Sequence, residues 1–128
     1  MNKEITCCLL GTDTYNDLSD SILNISFVMF DLIFNHGVRR FLVHSGRGLQ
    51  ALGFVLGEKF KDIIADVKVE FVMKKSIADK LKSLFYKCIY DDILVVDEDE
   101  SEEVVMKKNS KYFIAYNGIE VIVGINSL

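Results

Sequence analysis

Apolar positions along the chain fall into short runs that alternate with stretches of helical spacing. Residues 5–10, "ITCCLL", form a near-continuous apolar run that stops at Gly11, the pattern of a strand buried on both faces. The polar stretch "TDTYNDLSDS" follows, and Ser19 or Asp20 opens a helix that runs to about His36. Ile22, Ile25, Phe27, Met29, Phe30, Ile33 and Phe34 predict a broad apolar face for it, and Gly37 stands where a helix C-terminal glycine belongs. "RRFLVHS" reads as a second strand. From Leu49 to Lys61 the apolar residues Leu49, Leu52, Val55, Leu56 and Phe60 recur at helical spacing, and "DVKVEFVM" alternates as a third strand. Ser76 opens another helix, with Ile77, Leu81, Leu84 and Phe85 on one face and Lys82 and Lys87 outward. "DILVV" is a fourth strand, followed by the acidic run "DEDESEE" and a short helix from near Ser101. In "KYFIAYNGIEVIVGI", Asn117-Gly118 separates two β-rich runs and accepts the positive φ of a type I′ turn, so the pattern predicts a terminal hairpin.

Strands that alternate with helices, the first four nearly all apolar, indicate an α/β fold with a mostly parallel sheet and helices on both faces. The 128 residues form a single domain, 1–128, long enough to bury a core.

Composition narrows the function classes. Half the residues are hydrophobic and 27% are charged, a globular balance. A net charge of −4 offers no basic surface, which argues against non-specific nucleic-acid binding and against an anionic membrane. No apolar run is long enough for a membrane span, and the residues before Gly11 hold too few apolar positions for a secretory signal core. The expectation is a cytoplasmic protein. Its three cysteines fit a reduced compartment: Cys7 and Cys8 are adjacent in a strand, with side chains on opposite faces, and Cys88 follows a helical pattern.

Candidate chemistry gathers at two glycine turns. In an open parallel sheet, ligands bind outside the carboxyl ends of strands where the strand order reverses. Gly11-Thr12-Asp13 after the first strand and Ser45-Gly46-Arg47-Gly48 after the second occupy such ends. Glycine lets backbone N–H groups approach an anion, the following helix start adds partial positive charge, and Arg47 offers a fork of donors to a phosphate. Ser45 lacks a G-x-S-x-G elbow and suits a helix cap or a ligand oxygen better than a nucleophile's role. Tyr15, His44 and Tyr116 fall near predicted strand ends as candidate cleft-rim residues. His36 and His44 have no partner at metal-ligand spacing, and residues 97–103 match no EF-hand loop, so the acidic run reads as a solvated segment.

The order strand–Gly, helix, strand–"SG"–helix resembles the SLOG superfamily of Rossmann-like proteins, which includes DprA and the LOG proteins, and in particular its small YpsA-like members. "CCLLGTD" is similar to the family's T-G-x-R turn. "FLVHSGRGLQALGFVLGE" is similar to its S-G-G-A-x-G-x-D segment, and "EEVVMKKNSKYFIAYNG" to its R-N-x-x-M-V-D-x-S-D region, through Met106, Ser110, Ile114, Ala115 and Tyr116. The resemblance implies a Rossmann-like three-layer sandwich and a nucleotide or nucleotide-derived phosphate ligand held by the two turns. Departures are as informative. Thr12 and Asp13 replace the turn arginine, Gln50 and Leu52 stand at a family glycine and an acidic position, and Glu102-Glu103 replace the Arg-Asn pair. The second glycine-rich loop that LOG enzymes use to cleave a nucleoside monophosphate is absent. The resemblance therefore implies binding without catalysis, with no catalytic residue assigned. The alternative is a degenerate domain that serves as a protein-interaction or structural subunit without ligand. Finally, a terminal hairpin leaves Ile119, Val121, Ile122, Val123 and Ile125 at a sheet edge in need of cover, which predicts a homodimer.

Overall fold

A computed structural model describes residues 3–11, 22–44, 48–84, 92–116 and 120–126. Strand β1 (Thr6–Gly11) is central, which explains its unbroken apolar run. It pairs in parallel with β2 (Arg40–Val43) on one side. Beyond β2 lie β3 (Lys68–Lys74) and β4 (Asp92–Val96), also parallel. On the other side β1 pairs in parallel with β5 (Tyr112–Tyr116), and β6 (Val121–Ile125) returns antiparallel to form an edge. The order is β4-β3-β2-β1-β5-β6, the expected mostly parallel sheet with a terminal hairpin. Asn117-Gly118 lies outside the described residues.

Among the described residues, four α-helices lie between these strands: α1 (Ile22–His36), α2 (Gly48–Lys61), α3 (Lys75–Leu84) and α4 (Glu102–Lys108). Helices α1 and α2 cover one face with Cys7, Leu9, Phe41, Val43, Val69 and Ile114, while Met106 of α4 packs on Cys8, Leu10, Leu42 and Val72 across the other. Cys7 and Cys8 thus enter opposite cores, as strand alternation requires. Burial pushes both thiols up from their ordinary value, Cys7 strongly, so they stay protonated and unreactive.

Helix α1 ends where the glycine marks it. Gly37 takes φ +73°, Val38 N–H donates to the Leu32 carbonyl at 2.9 Å, and Arg39 Nη1 donates to the Ile33 carbonyl at 2.8 Å. At the opposite end of the sheet from the glycine turns, the largely buried Arg40 and Glu70 form an ion pair, and Arg40 Nη1 also reaches Thr6 Oγ1 at 3.4 Å. The acidic run is exposed but organised. Lys74 Nζ donates to the carbonyls of Asp97, Glu98 and Glu100, and the Glu98 carboxylate accepts from Ser76 N–H at 2.7 Å in the first turn of α3. Hydrogen bonding from the Ser76 side chain, and next from its backbone N–H, holds the Glu98 carboxyl below its ordinary pKa. Ser101 caps α4, where the sequence places its start.

Helix faces depart from the periodic expectation. In α1, Ile25, Met29, Leu32 and Ile33 are buried, whereas Ile22, Phe27, Phe30 and Phe34 are exposed. Apolar residues wrap this helix almost completely, and one sheet contact can bury only one sector of it. In α2, Val55 is exposed, and the seam against the sheet runs through Leu49, Gly53 and Gly57. A Cβ on Gly53 would stand 2.2 Å from Leu9 Cδ2, and one on Gly57 2.4 Å from Val69 Cγ2. The glycines let the helix sit close to β1 and β3. In α3, Ile77 is exposed and Ala78 is buried instead. Phe85, Lys87 and Cys88 lie outside the described residues.

Candidate functional site

The strand order reverses between β1 and β5: β1 is followed in the chain by β2 on one flank, while β5 lies on the other. The crevice beyond their carboxyl ends is the place where this sheet class takes ligands. Gly11 ends β1 opposite Tyr116, the last residue of β5. Its φ of +139° suits glycine, and a Cβ there would stand 3.2 Å from the Tyr116 carbonyl oxygen and 3.7 Å from Leu49 Cδ2. Three pieces of chain therefore converge on Gly11: the ends of β1 and β5 and the first turn of α2. A helix of 14 residues starting at Gly48 brings the positive end of its dipole to this corner.

A buried side chain holds the corner in shape. Gln50 is fully buried, and its amide bridges two strands. Oε1 accepts from His44 N–H at 2.8 Å, at the end of β2, and Nε2 donates to the Leu9 carbonyl of β1 at 2.7 Å. One side chain thereby satisfies a donor and an acceptor that flank the turns. Gln50 is thus a structural tie between the two turn-bearing strands.

The His44 ring is four-fifths buried, with Nε2 3.9 Å from Glu103 Oε1 in the first turn of α4. No hydrogen bond engages that nitrogen. Tyr116 is half-buried and packs against the core under α1 and α2, so its ring serves the wall of the crevice.

Of the residues singled out from the sequence, Gly11, His44, Gly48 and Tyr116 meet at this one end of the sheet. Thr12, Asp13, Tyr15, Ser45, Gly46 and Arg47 lie outside the described residues. Gln50 and Glu103 take part although neither stood out as a site residue. Gln50 carries a faint signal, a polar residue beside buried Leu49 on a helix that otherwise packs apolar groups and glycines. Among the described residues, no group of three or more His, Cys, Asp or Glu side chains is placed to hold a metal ion, and no helix is long and apolar enough to cross a membrane. The arrangement can offer hydrogen-bond donors and partial positive charge to an anion. Its described residues contain no nucleophile paired with a base.

No protein-family model, curated protein or solved structure matches the chain.

Proposed function

We propose that this domain binds a nucleotide or nucleotide-derived phosphate ligand without transforming it, in a sensing or sequestering role. The observation that carries the reading is the convergence of Gly11 and the N-terminus of α2 at the strand-order reversal. Backbone N–H groups at such a corner suit phosphate oxygens. Arg47, in the segment between β2 and α2, supplies the full positive charge. The likeness of these turns to those of SLOG proteins supports the same ligand class. Losses relative to that family, the turn arginine and the second glycine loop, argue for binding over catalysis.

Thermal-shift screening against nucleotides, ADP-ribose and cyclic dinucleotides tests the proposal. Saturable stabilisation is expected, reaching about 2.7 kcal/mol at 100-fold excess over Kd. Arg47→Ala should abolish the shift while leaving the apo melting temperature unchanged. No response to any phosphate ligand, or an undiminished response in Arg47→Ala, overturns it in favour of an interaction subunit without ligand. The exposed apolar stripe of α1 is the observation that favours this second reading.

A further inference from the structure

The exposed residues Leu23, Phe27, Phe30 and Phe34 of α1 follow each other at intervals of four, three and four. That spacing sets them in one line along the helix, on the side away from its buried residues Ile25, Met29, Leu32 and Ile33. Phe30 and Phe34 touch, with ring centroids 4.5 Å apart. The stripe is uncharged, and Asp31 is the only Asp, Glu, Lys or Arg between Ile22 and His36.

A second apolar surface lies on the same side of the sheet. Register pairs Val121, Val123 and Ile125 of β6 with Tyr116, Ile114 and Tyr112, whose side chains enter the core under α1. Val123 and Ile125 are exposed on that side, and β6 is an edge strand. Between Tyr112 and Asn126 the only charged residue is Glu120; no lysine or proline blunts the edge.

We infer that a second copy of this chain covers these surfaces, in a two-fold dimer that pairs β6 with β6 antiparallel and brings the two α1 helices together on one side. A two-fold axis perpendicular to the sheet is the symmetry that keeps like faces on the same side while the edges pair. The exposures are 63% for Leu23, 62% for Phe27, 49% for Phe30, 45% for Phe34, 48% for Val123 and 65% for Ile125. These six side chains offer roughly 600 Å² of apolar area per copy, so two copies bury about 1,200 Å², the lower bound of a stable specific interface. Lack of charge on both surfaces removes like-charge repulsion between identical patches. This assembly is independent of the phosphate site, which lies at the carboxyl ends of β1 and β2.

Light scattering on the eluting 128-residue chain from 1 to 100 µM tests the inference. The expected mass is twice the 14.6 kDa of one chain. Two variants on different elements, Phe27→Lys with Phe34→Lys on α1 and Val123→Lys on β6, should each weaken dimerisation at least tenfold and keep a folded far-UV spectrum. Val123 is the centre of β6, so Val123→Cys should cross-link to its own copy with a short bismaleimide where the native chain does not. A monomer at 100 µM, or failure of Val123→Cys to cross-link, overturns the inference. So does a dimer whose affinity is unchanged in folded α1 and β6 variants.

Discussion

Replacing Gln50 with Leu asks whether one buried amide holds the two turn-bearing strands together. The native side chain is fully buried and bonded at 2.8 Å to His44 N–H and at 2.7 Å to the Leu9 carbonyl. Leucine has similar bulk and bonds neither group, so one backbone donor and one acceptor lose their partner. At about 1–3 kcal/mol for each unsatisfied group, partly offset by the better burial of an apolar side chain, the net loss is about 2–4 kcal/mol. For a chain of this size that lowers the melting temperature by roughly 8–15 °C. Calorimetry or urea unfolding measures it. Gln50→Glu adds a sign test. The ionised carboxylate can accept from His44 N–H, but it faces the Leu9 carbonyl without a proton to donate. Burial beside that carbonyl raises the folded-state pKa of the new carboxyl, so its stabilising, protonated form persists below the unfolded value and is lost as pH rises through the folded one. Relative to wild type, Gln50→Glu should therefore be more stable at pH 4 than at pH 7. A loss under 0.5 kcal/mol in Gln50→Leu would refute the idea that this side chain ties β1 to β2.

Three further outcomes follow from the core. Arg40→Met strands the largely buried Glu70 carboxylate and should cost about 3–5 kcal/mol in denaturant unfolding, while the double change Arg40→Met/Glu70→Met recovers most of it. Gly57→Ala drives a methyl to within 2.4 Å of Val69 Cγ2; overpacking of about 1–3 kcal/mol outweighs the roughly 1 kcal/mol gained in helix propensity, and the melting temperature should fall. The raised thiols of Cys7 and Cys8 keep their protons in the folded state when the unfolded chain gives them up. Stability should therefore be fully present below the ordinary thiol pKa and fall above about pH 9, by roughly 1.4 kcal/mol per pH unit for each thiol, as read from pH-dependent urea unfolding.

Much of the architecture was legible because it depends on local or periodic signals. The apolar run at residues 5–10 marked a central strand, Gly37 marked a helix end with φ +73°, and Ser101 marked a helix start. The two β-rich runs around Asn117-Gly118 marked the antiparallel pair. Helix faces were less legible. Periodicity cannot choose a buried sector on α1, where apolar residues surround the axis, and it overlooks Gly53 and Gly57 because a glycine contributes to packing by what it lacks. Long-range polar ties were the least legible. Gln50 meets a carbonyl 41 residues away, and Lys74 gathers carbonyls 23 to 26 residues further on. Their partners are backbone atoms, present at every position, so no residue type announces the pairing. The candidate site shares both characters: glycines revealed the turns, while the contributions of Gln50 and Glu103 required the fold.

Backbone amide NMR during titration with ADP-ribose tests the central claim most directly, because it reports location as well as binding. Saturable shifts centred on Gly11, His44, Gly48, Leu49 and Tyr116 and on the turn residues after β1 and β2, and lost in Arg47→Ala, are the predicted result. Saturable shifts centred elsewhere, or a spectrum in slow or fast exchange that leaves Gly11 and Gly48 unmoved at saturation, would contradict the assignment of the phosphate site to this corner of the sheet.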